Sequence, residues 1–250
     1  FAMSLNLTDP GLSARNFPPP QPIEKVENIY ELINRWTEDG ALQKIESQLK
    51  AGFNLDVINT ESTTSGYGQT PLTLALLVAS PQMIHYAADV RANRYDVVTL
   101  ILKYNPNINF RNDRGETPLH IAVNKGDIDL TSELIARGAD INAEINDGRE
   151  NSYKRSMLDA TFPFGDNAFK ILMAKGVKYD PEKILDTVFQ FGSGSSSDPF
   201  LETFLSYPIE IPESYRDRLA YNIQQKDPNR IHIAGIIAKH MDLMNAAKKS

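Results

Sequence analysis

The chain has 250 residues, of which 41% are hydrophobic and 23% are charged, and its formal net charge at pH 7 is −6. These proportions are ordinary for a folded protein. The absence of cysteine excludes disulfides, thiolate metal sites and cysteine nucleophiles. The negative charge argues against a nucleic-acid partner, because phosphate binding needs a clustered basic surface. No apolar run reaches the ~18 residues of a membrane span.

Residues 1–22 are rich in proline, ending in Phe17-Pro-Pro-Pro-Gln-Pro22. Proline fixes its own φ angle and disfavours helix in the residue before it, so this segment predicts an extended arm. The P-x-x-P spacing from Pro19 to Pro22 could dock into an aromatic groove of another protein. A stiff leader that lies on the first helices would account for the same prolines.

A first helix pair is predicted from residue 23 onward. Its opening helix carries apolar residues at helical spacing and ends at Gly40, and its second helix ends at Gly52. The apolar positions of the opening helix are Val26, Ile29, Tyr30, Ile33 and Trp36.

A second pair follows a long polar connection over 57–68. Thr70-Pro71 opens its first helix and Tyr95–Tyr104 forms its second. About 14 extra residues, roughly 79–92, lie between these helices and predict an inserted helix that starts at Ser80-Pro81. Insertions in repeats carry individual binding functions, which makes this one a candidate contact surface. The alternative is a lengthened structural helix pair that binds nothing. The candidate contact residues are His85, Tyr86 and Arg91.

The stretch 112–142 contains one complete helix–turn–helix unit. Thr117-Pro118 supplies a cap and a first helical residue, and Gly126 and Gly138 end the two helices. The separation of these glycines equals that of Gly40 and Gly52. Apolar residues fall on two sides of the second helix, so the unit needs neighbours on both sides. They are Ile128, Leu130, Leu134 and Ile135.

This unit resembles an ankyrin repeat, whose signature contains Gly-x-Thr-Pro-Leu-His-x-Ala, a middle glycine and a closing Gly-Ala-Asp-x-Asn. The resemblance implies an all-α solenoid of stacked helix–turn–helix units with short hairpin loops, here of five or six helix pairs. It also implies that His120 braces neighbouring turns. The matching positions are Gly115, Thr117, Pro118, Leu119, His120, Ala122, Gly126, Gly138, Ala139, Asp140 and Asn142.

Helical patterns continue to the end of the chain. A polar loop over 143–155 precedes Met157-Leu158, which occupies the Pro-Leu slot of the signature. Later helices open at Asp180-Pro181, Asp198-Pro199 and Asp227-Pro228. The segment 192–197, Gly-Ser-Gly-Ser-Ser-Ser, lacks the Lys and Ser/Thr ending of a phosphate-binding loop and predicts a flexible connector. The predicted organisation is therefore an arm over 1–22, ankyrin repeats over 23–179 and divergent helical hairpins over 180–250.

Neither catalytic nor metal-binding residues are predicted, and no cofactor is expected. In ankyrin proteins the hairpin tips and inner helices line the concave face that grips a partner protein, and the matching positions here are the candidate contacts. An aromatic residue and two arginines among them are natural anchors. The alternative for each is a solvated turn residue. The candidates are Tyr67, Gln69, Asp113, Arg114, Glu116, Asn124, Lys125 and Arg149.

The predicted function is non-enzymatic recognition of a protein partner by a monomeric, cytoplasmic repeat module without a membrane span. Divergent repeats without cysteine resemble the ankyrin effectors that intracellular bacteria deliver into host cells. A regulatory inhibitor or adaptor of the protein's own cell remains the sibling hypothesis. The alternative of another class is an enzyme, or a fragment of one, with its chemistry in residues 180–250.

Overall fold

The computed structural model describes residues 27–61, 66–79, 95–145, 155–162, 166–191 and 198–248. These residues form eleven α-helices and one 3-10 helix, and their only β-type pairing is an isolated antiparallel bridge between Ile145 and Arg155. The predicted all-α class is confirmed. The predicted arm, most of the predicted insertion and the 192–197 connector lie outside the described residues.

The helices follow one another in six pairs. The first three pairs are α1 (Ile29–Asn34) with α2 (Ala41–Lys50), α3 (Pro71–Val78) with α4 (Asp96–Lys103), and α5 (Pro118–Asn124) with α6 (Ile128–Ala136). The other three are the 3-10 helix (Asp159–Thr161) with α7 (Asp166–Ala174), α8 (Pro181–Phe191) with α9 (Asp198–Leu205), and α10 (Tyr215–Gln224) with α11 (Pro228–Ala247).

The first members of the pairs form an inner row and the second members an outer row. Contacts join α1, α3, α5 and the 3-10 helix in sequence within the inner row. In the outer row, α2 contacts α4, α6 contacts α7, and α9 contacts both α7 and α11. No described helix is long and apolar enough to cross a membrane.

The same capping arrangement starts three successive inner helices. The Thr117 N–H donates to His120 Nδ1 at 3.1 Å. Thr73 Oγ1 accepts from the Thr70 N–H at 2.8 Å, and Asp159 Oδ2 accepts from the Ser156 N–H at 2.7 Å. Three different side chains therefore satisfy an amide that the helix leaves unpaired. This explains how Thr73 stands at the histidine position of the signature.

A ladder of side-chain caps links the outer ends of successive pairs. In each of these caps, a backbone N–H donates to a side-chain oxygen that follows the preceding pair. The bonds are Asn107 N to Asp56 Oδ1 at 2.7 Å, Asp140 N to Asn109 Oδ1 at 2.8 Å, and Lys178 N to Asn142 Oδ1 at 2.7 Å. The ladder ends at Asp180, whose carboxylate instead caps α8 by accepting from the Glu182 N–H at 3.0 Å. The chain therefore enters a helix where the previous pairs form a turn.

The helices after residue 180 pack directly on the fourth pair. The Phe169 ring of α7 lies edge-on to the rings of Phe200, Phe204 and Tyr207, with centroids 5.5 to 5.9 Å apart. In the inner row, Thr187 Oγ1 donates to Asp159 Oδ1 at 3.2 Å. One core therefore runs through all six pairs.

One local expectation is wrong, and one inner helix is shorter than its counterparts. Ile128, the first residue of α6, is 40% exposed, whereas Leu130 and Leu134 are buried as expected and Thr131 is buried with them. The inner helix of the fourth pair ends ahead of Phe162-Pro163, as that dipeptide predicts, but it is only three residues long and has 3-10 geometry.

Gly138 has the left-handed conformation that the sequence predicts, with φ = +90°. A Cβ at this position would meet no atom within 4 Å, so the cost of a side chain lies in the backbone alone. We expect Gly138→Ala to lower the free energy of unfolding by about 1–2 kcal/mol in urea titrations. The same substitution at Gly235, an exposed glycine inside α11, is the control and is expected to raise it by about 0.5–1 kcal/mol. Equal effects at the two positions would contradict the left-handed assignment.

Candidate protein-binding surface

Three connections each precede an inner helix, and we call them fingers: the first is 59–69, of which 62–65 are not described, the second is 112–116, and the third is 145–155, of which only Ile145 and Arg155 are described. Each is closed by the same backbone bond. The N–H of Asn59, Asn112 and Ile145 donates to the carbonyl of Gln69, Glu116 and Arg155 respectively, at 2.8 to 2.9 Å. Three residues lie inside the closing pair of the second finger and nine inside each of the others. The predicted lengthening of the connection before Gly68 is therefore confirmed.

The second finger is built around the buried side chain of Asn112, which is 4% exposed. Its Oδ1 accepts from the N–H groups of Arg114 and Glu116 at 3.0 and 2.9 Å. Its Nδ2 donates to Gln69 Oε1 at 3.1 Å and to Glu116 Oε2 at 2.8 Å. All four hydrogen-bonding positions of one amide are thus used, and the finger is held in a single conformation.

Bonds between fingers fix their relative positions. The Asp113 N–H donates to the Gly68 carbonyl at 2.9 Å, and the Asp113 carboxylate fills the space that a Cβ on Gly68 would need. Arg111 Nη1 donates to the carbonyls of Gly115 and Glu144, both at 2.6 Å, and so ties the second finger to the residue that precedes the third. The described residues of the first two fingers therefore form one preorganised surface.

The predicted contact residues take three different environments. Tyr67 is 56% exposed, Asp113, Arg114 and Asn124 are also exposed, and Glu116 and Lys125 are half-buried. Gln69 is only 5% exposed, because its side-chain oxygen supports Asn112 from beneath. It therefore belongs to the support of the fingers and not to their contact surface. Outside the described residues lie Arg149, His85, Tyr86 and Arg91.

Arg114 is the cation that the second finger presents to solvent. Its backbone N–H is fixed by Asn112, while no described residue forms an ion pair with its guanidinium. Tyr67 lies on the neighbouring finger between Gly66 and Gly68, both with positive φ angles. An arginine and a tyrosine held by fixed backbone are typical anchors of protein interfaces.

Sequence reasoning missed two supporting residues. Asn112 begins an Asn-x-x-Gly turn, a pattern in which the side chain bonds amides two residues on, so its role was available from the sequence. The role of Arg111 has no such signal in the sequence. One of its acceptors lies on the second finger, but the other, Glu144, is 33 positions away along the chain.

His120 is buried and carries the most specific acid–base prediction of this region. Burial lowers the pKa of His120 to about 4, the charge of Arg111 adds to this effect, and the Ala143 backbone opposes it. The ring is therefore neutral at pH 7, and its Nδ1 accepts from the Thr117 N–H. Protonation would remove that acceptor and place a charge in the core.

We expect acid to destabilise the fold through this histidine. The unfolded chain binds the proton near pH 6.5 and the folded chain only near pH 4, so this contribution is complete above pH 6.5 and is lost as pH falls toward 4. Between pH 7 and 4.5 the loss should be about 2–3 kcal/mol in urea titrations. His120→Thr, which copies the Thr70/Thr73 cap, should remove this part of the pH dependence. An unchanged slope in the variant would assign the acid sensitivity to other groups.

Similarity to known proteins agrees with the stacked pairs. Residues 84–183 match the family model described as ankyrin repeats (3 copies). The matched segment therefore contains ankyrin repeats. The family match covers α4 of the second pair, the third and fourth pairs and the start of α8. Ankyrin repeats are protein-interaction modules, and their stiff stacking offers extended binding surfaces.

The ankyrin repeats have relatives of differing origin. FPV219 of fowlpox virus (strain NVSL), which is named as an ankyrin repeat protein, is 26% identical over 92 residues, or 37% of this chain and 19% of the viral protein. Protein phosphatase 1 regulatory subunit 27 of Homo sapiens is 41% identical over 59 residues, or 24% of this chain and 38% of that protein, and the Mus musculus protein gives the same values. The chain therefore spans well under half the length of these relatives.

Among the described residues after 180, the strongest acid–base perturbation belongs to Tyr215. Burial raises the pKa of this phenol, and the neighbouring Asp186, whose carboxylate accepts from Tyr215 Oη at 2.9 Å, raises it further. Asp186 and Glu182 also pair with Arg218. These contacts join α8 to α10, which is a structural role. The enzyme alternative for this region stays a prediction.

Proposed function

We propose that this chain is a non-enzymatic recognition module whose ankyrin repeats bind a partner protein through the fingers and the adjoining ends of the inner helices. The observation that carries the proposal is the second finger, in which the fully bonded Asn112 holds Asp113 and Arg114 outward. A surface that is already ordered loses little conformational entropy on binding, which favours affinity.

The residues proposed to make direct contact are the exposed ones. Tyr67 and Arg114 supply the anchors, and Asp113, Asn124 and Lys125 supply polar contacts around them. The guanidinium of Arg114 is free of described carboxylates, so a partner carboxylate can pair with it without displacing an internal ion pair.

The name of one relative suggests a first probe. Protein phosphatase 1 regulatory subunit 27 is similar to this chain over 59 residues. Purified protein phosphatase 1 is therefore the first partner to test, before affinity capture from cell lysate identifies others. Regulation of a partner enzyme by a non-catalytic module would fit both the finger surface and that name.

We expect Arg114→Glu to weaken binding of the captured partner by about tenfold or more, because charge reversal opposes the contact at an anchor position. The melting temperature should stay the same, since the side chain is exposed. Lys170→Glu is the matched control, because it reverses an exposed charge on α7 of the outer row. Affinities measured by calorimetry would remove Arg114 from the site if both variants bound equally well.

The cellular setting is part of the proposal and has its own test. Delivery into host cytoplasm as a bacterial effector follows from resemblance, as does the alternative of an adaptor inside its own cell. A reporter fusion that responds only to host cytoplasm would distinguish them. A signal in infected cells supports delivery, and retention of the fusion in the producing cell supports the adaptor.

A further inference from the structure

A second surface lies outside the fingers, between the inner helices of the last two pairs. An open groove of about 590 Å³ is lined by α8, by α10 and by Arg230 at the start of α11. Phe189 and Asn222 are buried in its floor, whereas Tyr221 at its edge is 60% exposed. The groove therefore places an exposed aromatic ring beside a buried one.

Of the two arginines that line the groove, only one is neutralised by carboxylates of the described residues. The guanidinium of Arg218 pairs with Asp186 and with Glu182, the latter at 3.4 Å, so its charge is already balanced. Arg230 instead donates through Nη1 to the amide oxygen of Asn222 at 2.8 Å, and no described carboxylate pairs with it. Asp217 lies on α10 one helical turn before Tyr221 and is also part of the lining.

The placement of Arg230 has a cost that its internal contacts do not explain. A cation in the first turn of a helix opposes the helix dipole, and Arg230 is the third residue of α11. The Asp227 carboxylate caps this helix by accepting backbone N–H groups, including that of Asn229 at 2.8 Å. Asn222, only 7% exposed and itself fixed by donating to the Arg218 carbonyl at 2.9 Å, holds the Arg230 guanidinium at the groove.

We propose that this groove binds a short acidic segment of a partner protein, with a carboxylate on Arg230 and an adjacent apolar side chain against Tyr221 and Phe189. The planar guanidinium suits a carboxylate, which can accept two parallel bonds from it. Asp217, which also lines the groove, repels further acidic groups, which favours a segment with a single acid beside the apolar residue. This surface does not involve the fingers, so the two proposals fail separately.

The test is selection of random twelve-residue peptides, displayed on phage, on the immobilised full chain. The expected enriched peptides carry Asp or Glu within a few residues of an aliphatic or aromatic residue. A synthetic copy should bind about tenfold or more weakly to Arg230→Gln and to Tyr221→Ala, and its affinity should fall with added salt. Arg230→Lys, which keeps the positive charge but not the planar guanidinium, should show a smaller loss of peptide affinity.

Matched control variants test whether peptide binding depends on this groove. Lys239→Gln removes a charge from the same helix, Ile223→Ala removes an exposed apolar side chain from α10, and Arg114→Glu alters the fingers; all three should leave binding unchanged. Circular dichroism melting checks that each variant folds. Peptides without an acidic preference, equal binding to Arg230→Gln, competition by acetate or phosphate alone, or a dimer of this chain that Arg230→Gln dissociates would each overturn the proposal.

Discussion

Phe169→Ala should lower the free energy of unfolding by about 3–5 kcal/mol, the largest effect we expect from a single substitution. The Phe169 side chain is fully buried in α7, and its ring contacts the rings of Phe200 and Phe204 in α9 and of Tyr207 just after it. Its removal leaves a cavity at the junction between the fourth and fifth helix pairs. Urea titration followed by circular dichroism measures the change.

The same experiment tests whether the stack is continuous. Tyr67→Ala is the aromatic control, and because Tyr67 is exposed we expect a change within about 0.5 kcal/mol. If helices on both sides of residue 180 form one core, the wild-type chain should unfold in one transition reported equally by probes in both regions. A loss below about 1 kcal/mol for Phe169→Ala, or separate transitions, would contradict the continuous core.

Asn112→Ala should cost about 2–4 kcal/mol and should loosen the second finger. The substitution removes four hydrogen bonds and leaves the buried Gln69 amide without this partner. It should also reduce partner binding, because the backbone that presents Arg114 is no longer fixed. Urea titration gives the first quantity and calorimetry with the captured partner gives the second.

Asn124→Ala is the control for this prediction. Asn124 is an exposed residue of the same repeat, and its one described bond, to the Ala160 carbonyl, is 3.5 Å long. We expect a stability change within about 0.5 kcal/mol. Should the two asparagine variants unfold at the same urea concentration, the buried amide network would have no role in holding the finger.

The central repeat was predictable because each of its boundaries is encoded locally. Thr117 and Pro118 set the start of α5, and Gly126 and Gly138 have the positive φ angles expected of helix-ending glycines. Local chemistry of this kind needs no knowledge of neighbours. The same reasoning placed the start of α8 at Asp180-Pro181 and of α11 at Asp227-Pro228.

The departures from prediction arise where tertiary contacts decide. Gln69 occupies a tip position of the signature, yet the approach of Asn112 from the next finger buries it. Asp159 replaces the bracing histidine of the fourth pair and also accepts from Thr187, 28 residues later. The first of these bonds was visible as a Ser-x-x-Asp capping pattern, whereas the second required the position of α8.

The groove at Arg230 could not be inferred from the sequence at all. Tyr221 and Arg230 belong to two helices, and their relation depends on Asn222 and on the neighbouring α8. Helical periodicity indicates which residues are buried, but it does not identify which helix covers them. For the same reason the C-terminal hairpins were predicted as helices without a predicted binding surface.

Site-specific photo-crosslinking to the captured partner tests most directly the claim that the fingers are the binding surface. A photoreactive residue replaces Arg114 in one variant and Lys170 in another, which places it on the second finger or on the outer row. We expect crosslinks to the partner from position 114 and none from position 170. Efficient crosslinking from position 170, with none from position 114, would show that the partner binds the opposite face of the stack.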